Sequence, residues 1–505
     1  MENLSKQAAD TLSSYISKTS GLKTKDYLGY ALGDAAGCLV FSLVTSLLQK
    51  FYTDIFSIQP MYIMVMFVLA RIWDAVNDPI MGRVCDSVKI TKYGRYKPWF
   101  LYVALPLSFT AMLMFAKWPG IGDPDKYTLT CVYATVTYVL FGMAYTMLQI
   151  PYGSLAAVVT TDEKERNKLS IWRSVGAGVG AMPVLLITSF CYSTDENGVK
   201  TMMYKPIIIG VIIMSIASAC LLVLCFFMNK ERIIAKGKEA ETEEEKLQHK
   251  HRTVEALKNL FKNRAFIGIS LTAMLLLAGQ MFTQTYYTYL FNDLFAANWM
   301  NMVSMVCTYG PMAVIMLFAG KLVRKFGKKE ICAVGAALAG VANLALFFMQ
   351  PVIVKIPVLF LAFCLISGVG LSIITLEIWA VATDAIDDVE VKTGMRNDGT
   401  SYSVFMFFRK MGQVVAAVAV NVALIAMNYK TGAGQVQTAQ TLDAMYKMAT
   451  IIPAVMFGAM SLVFFLVYGL NHRKTAELQD AKEKMLAEQI ANNEIAVGEN
   501  ATSEN

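Results

Sequence analysis

The chain has 505 residues, of which 56% are hydrophobic and only 16% charged, with a mean hydropathy of +0.47. About a quarter of a soluble domain is charged, so this composition excludes a disordered chain, and nine cysteines lying mostly inside apolar runs exclude a disulfide scaffold. The formal charge of +7 is what the basic loops of a polytopic membrane protein produce, and three histidines without a His/Cys cluster leave little for a zinc site or a catalytic triad.

A helix of about 20 apolar residues spans a bilayer because its backbone amides are satisfied internally. Twelve such runs are predicted, at 27–51, 60–82, 98–117, 127–152, 170–192, 206–228, 265–290, 299–320, 331–350, 357–382, 401–428 and 446–470. The expected organisation is a cytoplasmic N-terminal segment (1–26), a six-helix half (27–228), a cytoplasmic connection (229–264) holding the acidic run Glu243, Glu244 and Glu245, a second six-helix half (265–470) and a polar cytoplasmic tail (471–505). Lys and Arg crowd 83–97, 164–173, 229–264 and 321–329 but are few near 54–59, 118–126, 291–298 and 351–356, so both termini are expected in the cytoplasm of a plasma-membrane protein, the inner membrane if bacterial. Residues 1–26 are polar and the first span is too long for a signal-peptide core, so no cleavable leader is expected.

Ionisable groups inside spans are costly and ask for a reason. In the first span, Gly29, Gly33 and Gly37 recur every four residues, which suits close helix packing, while Asp34 is a candidate substrate ligand with Tyr30 and Cys38 on its face. The second span holds the densest charge, Ala70-Arg71-Ile72-Trp73-Asp74-Ala75-Val76-Asn77-Asp78-Pro79. Asp74 and Asp78, four apart, share a helix face, with Arg71 one turn before and the Asn77 amide alongside. Two carboxylates with neutral oxygens suit a monovalent cation such as Na⁺, or one shared proton. For Arg71 itself, a static ion pair with one aspartate is the plainer reading.

The fourth span ends with Thr146 and Gln149 one turn apart, able to donate to and accept from sugar hydroxyls, although Thr146 could equally bond its own backbone. The fifth opens with Trp172-Arg173 followed by Gly176, Gly178 and Gly180, without the spacing or preceding strand of a dinucleotide loop. Glu377 and Trp379 stand in the tenth span and Lys410 in the eleventh. Trp379 reads equally as a sugar-stacking platform or as an interface anchor.

The run Gly82-Arg83-Val84-Cys85-Asp86 with Tyr93–Lys97, between spans two and three, has a counterpart in Gly320–Lys329, between spans eight and nine. These loops resemble the signature loops of the major facilitator superfamily, which implies a twelve-helix all-α membrane fold of two six-helix halves around a central cavity. Arg71, Asp86, Arg95 and Arg324 are then expected as gating or paired charges, with the two loops latching the halves on the cytoplasmic side. Segments 70–82, 92–99 (Lys-Tyr-Gly-Arg-Tyr-Lys-Pro-Trp), 150–155 (Ile-Pro-Tyr-Gly-Ser-Leu) and 392–396 (Lys-Thr-Gly-Met-Arg) are similar to motifs of the glycoside–pentoside–hexuronide:cation symporters, over about 27–415. The resemblance implies that Asp74, Asn77, Asp78 and Thr146 stand where the melibiose-type members bind their cation, and that Arg173 and Lys410 line the sugar cavity. Where those members carry acidic sugar ligands this chain has Cys38 and Gln149, and where they carry stacking tryptophans it has Gly153 and Thr375. Melibiose is therefore a poor match, and the retained Arg173 and Lys410 lean toward an acidic hexuronide, partly offset by Glu377.

The expectation is a symporter, not an enzyme, importing a glycoside, pentoside or hexuronide with Na⁺ or H⁺ by alternating access. Gln149, Arg173, Glu377, Trp379 and Lys410 would line the substrate cavity, with Asp34 and Tyr30 behind them. The partners expected are a small sugar or glycoside and the lipid bilayer, with no nucleic acid, no cofactor beyond the coupling cation, and function as a monomer. A cation-coupled lysolipid transporter of the same superfamily and a non-transporting sugar sensor are the competing readings.

Overall fold

The computed structural model describes residues 22–88, 91–160, 163–194, 200–231, 255, 257–393, 398–432, 435–478 and 480–481. Most of the N-terminal segment, most of the 229–264 connection with Glu243, Glu244 and Glu245, the end of the 392–396 motif and most of the tail lie outside them.

Among the described residues, twelve long helices follow one another. They are α1 (Thr24–Asp54), α2 (Pro60–Ser87), α3 (Pro98–Phe115), α4 (Tyr127–Val159), α5 (Glu163–Phe190), α6 (Tyr204–Met228), α7 (Arg264–Leu294), α8 (Asn298–Phe326), α9 (Lys328–Phe348), α10 (Val358–Thr393), α11 (Asp398–Ala426) and α12 (Ala439–Leu466). A two-stranded hairpin, β1 (Tyr192–Thr194) and β2 (Lys200–Met202), joins α5 to α6 and pairs antiparallel with Ser193 opposite Thr201. Among the described residues, ten of the helices are long and apolar enough to cross a membrane. The other two, α2 and α5, are 28 residues each and are interrupted by charged side chains. Large apolar side chains such as Leu105, Phe190, Leu317 and Phe348 stand exposed, as expected of helices solvated by lipid.

Local chemistry explains the ends. Proline at the first position opens α2 and α3, where no amide donor is missed. One residue, Gly327, separates α8 from α9; its φ of +89° reverses the chain at no steric cost. Helix α10 runs to Thr393, eleven residues beyond the span predicted to end at 382. Its polar last turns stay helical because Asp388 pairs with Lys392 at 2.6 Å and accepts from Asn263 at 2.7 Å. Helices α1 and α7 each contain a five-residue π-helical turn, Val44–Leu48 and Leu290–Leu294.

The chain forms two compact units. The first comprises Met1–Glu239, Gln284–Met302 and Val420–Met445; the second comprises Ala240–Thr283, Val303–Ala419 and Tyr446–Asn505. In the first, α1 packs along α5 and α6. The glycines of α5 are packing glycines: a β-carbon at Gly176 would collide with the backbone of Ala31, and one at Gly180 with that of Ala35. Gly33 of α1 is just as confined, with a β-carbon there 2.7 Å from the Tyr152 ring. In the second unit α9 and α10 cross with Gly335 against Gly370, and α9 meets α12 at Gly340 and Gly458. Small residues let backbones approach closely where lipid supplies no hydrophobic drive.

Gly176→Leu should therefore cost about 1–3 kcal/mol or more, read as a lowered unfolding temperature and poor recovery from detergent. Gly178→Ala, whose β-carbon meets open space, should leave both unchanged.

Candidate cation and substrate site

Helices α2 and α4 assemble the acidic cluster. Arg71 Nη1 pairs with Asp74 Oδ2 at 2.9 Å, one turn along α2, and Arg71 Nη2 donates to the Tyr138 hydroxyl of α4 at 3.3 Å. The static pair left open by the sequence is thus present, and it accounts for Asp74. One turn further, Asp78 Oδ1 accepts from Thr146 Oγ1 of α4 at 3.1 Å. Asp74, Asn77 and Thr146 are buried, and Asp78 is half-buried. Gly142 of α4 keeps room for the Asp74 carboxylate, since a β-carbon there would lie 3.2 Å from its Oδ1. The cluster thus holds two carboxylates, Asp74 paired with Arg71 and Asp78 bonded to the Thr146 hydroxyl, with the Asn77 amide alongside.

Helices α1, α4 and α5 assemble a second group in the same unit. Arg173 Nε lies 3.5 Å from Asp34 Oδ1, with 41% of the arginine side chain exposed against 8% of the aspartate. The Arg173 guanidinium stands 5.2 Å from the Tyr152 ring centroid, and Tyr152 stacks on Tyr30 at 4.6 Å and 13°. The Tyr152 hydroxyl donates to the Tyr30 carbonyl at 2.8 Å, which locks the stack. Cys38 Sγ lies 4.0 Å from Asp34 Oδ2. Gln149 donates to the Tyr145 hydroxyl at 2.9 Å, and Tyr145 stacks on Phe41 at 5.2 Å. Arg173 therefore has a buried counter-ion on one side and an open face on the other, flanked by aromatic rings. The close α1–α5 crossing at Gly176 and Gly180 makes this reach possible.

The remaining sequence candidates belong to the second unit. Trp379 stacks on Tyr402 at 5.8 Å, meets Phe405 edge-on at 5.4 Å and has Arg409 over its ring at 4.8 Å. Glu377 is half-buried on α10 within the field of Lys328 and Asp384, which pair at 2.8 Å. Thr375 accepts from Gln280 at 3.3 Å, and Lys410 is half-buried on α11.

The loop between α2 and α3 is fastened inside its own unit. Three successive amides, those of Arg95, Tyr96 and Lys97, donate to the Glu231 carboxylate at 2.9, 2.8 and 2.7 Å. Gly94, at φ +110°, makes the concave turn, and a β-carbon there would strike that carboxylate. Burial, with the Phe226 ring 4.5 Å away, pushes the Lys97 ammonium below its usual range against the pull of Glu231. Arg324 is exposed, its Nε donating to the Gly320 carbonyl of its own helix at 3.1 Å. The Asp86 side chain lies outside the described residues.

Residues 29–472 match the family model described as MFS/sugar transport protein. The chain belongs to that family. It is a multi-pass sugar-transport protein of the major facilitator superfamily and not an enzyme. It is 27% identical over 460 residues to the "Putative 2,3-dihydroxypropane-1-sulfonate exporter" of Salmonella typhimurium, covering 90% of this chain and 95% of that protein. It is 27% identical over 485 residues to the inner membrane symporter YicJ of Escherichia coli, covering 94% and 98%. Its fold matches the crystal structure of a D-xylose-proton symporter with a TM-score of 0.59 at 13% identity, over 88% of this chain and 98% of that one.

Tyr138, Tyr145 and Tyr152 of this transporter, which orient Arg71, Gln149 and Arg173, had only a weak signal in sequence: aromatic residues in an apolar span read as lipid-facing. Lys328 and Asp384, 56 residues apart, carried none. Lys328→Ala should destabilise the protein by about 1–3 kcal/mol, less than the ~3–5 of a sealed pair because Lys328 keeps 23% exposure. Thermal unfolding in detergent reads this, and adding Asp384→Leu to Lys328→Met should recover most of the loss.

Proposed function

We propose that this transporter imports a glycoside, pentoside or hexuronide across the plasma membrane by symport with Na⁺ or H⁺, through alternating access, with both termini in the cytoplasm. The observation that carries the reading is Asp78, a span carboxylate held by the Thr146 hydroxyl 3.1 Å away, one turn beyond an aspartate already matched by Arg71. Two carboxylates at that spacing, with the Asn77 and Thr146 oxygens beside them, make the kind of oxygen-rich set that a monovalent cation takes. The oxygens of Asn77 and Thr146 favour Na⁺ over H⁺, since a proton needs no such shell.

The open face of Arg173 supports an acidic sugar. A guanidinium with 41% of its side chain exposed can take a carboxylate or sulfonate in a bidentate fork, and the flanking Tyr152 ring suits a pyranose face. That one relative is named for a sulfonate is in keeping with this. Lys410 is the second cation proposed for the substrate, with Gln149, Glu377 and Trp379 as further candidates. One cation moving down about 100 mV supplies roughly 2.3 kcal/mol, and a tenfold gradient adds about 1.4, enough to accumulate substrate a few hundred-fold.

Charge movement on solid-supported proteoliposomes tests this across a panel of neutral and acidic sugars, each with and without Na⁺. A sugar-evoked current that needs Na⁺ and is lost in Asp78→Asn is the expected result. Undiminished uphill uptake by Asp78→Asn would remove it from the coupling site. Arg173→Lys should weaken half-saturation for acidic sugars about tenfold or more and leave neutral ones within about twofold; equal losses for both would overturn the acidic preference. Lys410→Ala should reduce substrate affinity, and a wild-type profile would remove it from the cavity.

A further inference from the structure

Lys50, on the last turns of α1, is 2% exposed. Its ammonium meets both oxygens of Asp293 at 2.7 Å and Asp54 Oδ2 at 3.3 Å, and donates to the Tyr429 hydroxyl at 2.8 Å. Tyr429 passes its own hydrogen to Asp293 Oδ2 at 2.9 Å and lies 3.4 Å from Asp54 Oδ1. Thr53 Oγ1 donates to Asp54 Oδ1 at 3.0 Å, and the Tyr289 hydroxyl is 3.2 Å from the same Oγ1. The Tyr289 and Tyr429 rings close over the ammonium at 4.6 and 5.3 Å.

These groups come from three stretches of one compact unit: α1, the end of α7 and the segment after α11. A polar seam continues beside them. Gln284 donates to Ser46 Oγ at 3.1 Å, Thr285 to the Thr45 carbonyl at 2.9 Å, Gln49 to Asn421 at 3.1 Å, and the Gly432 amide to the Thr53 carbonyl at 2.9 Å. Side chains from the second half of the chain are thereby fastened to the first, on the side of the 55–59 loop. The orientation expected from the basic loops places that side away from the cytoplasm.

One ammonium against two carboxylates leaves one net negative charge where little water reaches. Tyr286 and Tyr289 of α7, Tyr429 and Tyr192 of β1 face the pair, but phenols titrate at about 10 and stay neutral. The carboxylate less tightly held by the ammonium is the one placed to take up a proton. Asp293 already holds both short ammonium contacts and the Tyr429 hydrogen. Asp54 has the longer contact, and once protonated it can donate to the Tyr429 oxygen.

We propose that Lys50, Asp54, Asp293 and Tyr429 form a proton site that latches the ends of α7 and α11 onto α1, closing with uptake of one proton at Asp54 and opening with its release. The inference rests on the alternating-access reading above, in which this seam must part once per cycle. Opening returns Asp54 to water, where a carboxylate ionises at about 4. The closed state is therefore favoured by acid, by up to tenfold per pH unit below the closed-state titration point, and loses that advantage as pH rises.

Hydrogen–deuterium exchange of the full-length protein in nanodiscs, without substrate, at about pH 6 and pH 8 and corrected for intrinsic rates, tests the latch. Peptides over 45–54, 284–294 and 421–432 should open about twofold or more less at the lower pH. Asp54→Asn, a mimic of the protonated acid, should hold the acid-side protection at both values, and Lys50→Met should lose it at both. Should Lys50→Met not fold, Tyr429→Phe, which removes one hydroxyl, should show the same loss in smaller measure. Equal wild-type protection at both pH values, or a pH difference retained by Asp54→Asn, would overturn the proposal. Exchange is read without transport, so a missing sugar current would sink the symport reading and leave the latch result standing.

Discussion

A charge inside a bilayer persists only with a partner, and this requirement organises the transporter more than any apolar contact does. Helix α1 is the clearest case. It carries Asp34 in its middle and Lys50 and Asp54 at its end, and each is met by a side chain from another element: Arg173 from α5, Asp293 from α7, Tyr429 from beyond α11. Helix α2 settles Asp74 within itself, through Arg71. These pairs fix how the helices sit along their axes, since sliding one by a turn would leave a carboxylate or an ammonium alone in a medium of low dielectric.

Access to water separates pairs of similar chemistry into different roles. Arg173 keeps 41% of its side chain open while Asp34 is sealed behind it, so the pair presents a positive face anchored by a buried negative one. Lys50 is sealed on all sides, so nothing can bind it without the surrounding helices moving. The first arrangement suits a ligand that comes and goes. The second suits a contact that reports, and resists, a change in shape.

Much of this was legible from the sequence because the bilayer imposes a simple pattern. Ten of the helices follow from apolar length alone, α2 and α5 from their apolar stretches between charges, and the 70–79 cluster announces itself because three charges in ten residues have no place in a span. What the sequence hid was the partnering. Lys50 reads as one more basic residue at a helix end, and its partner Asp293 lies 243 positions away with no pattern linking them. Glu231 reads as part of a charged connection, yet its carboxylate fills a turn of backbone amides more than 130 residues earlier. The glycines of α5 were legible as something other than a nucleotide loop, but that they face Ala31 and Ala35 follows only from which side of α1 is turned toward them.

The π-helical turn at Val44–Leu48 adds a rotational consequence. Asp34 and Lys50 are 16 residues apart, and at about 100° per residue an unbroken α-helix would set them roughly 160° apart around its axis. A wider turn absorbs about one residue of that winding and brings the two side chains to within roughly 60°. The carboxylate that holds Arg173 and the ammonium that holds Asp293 thus share one flank of α1. The bulge acts as a phase corrector, letting a single helix present the carboxylate that anchors Arg173 and the sealed Lys50 ammonium along the same line.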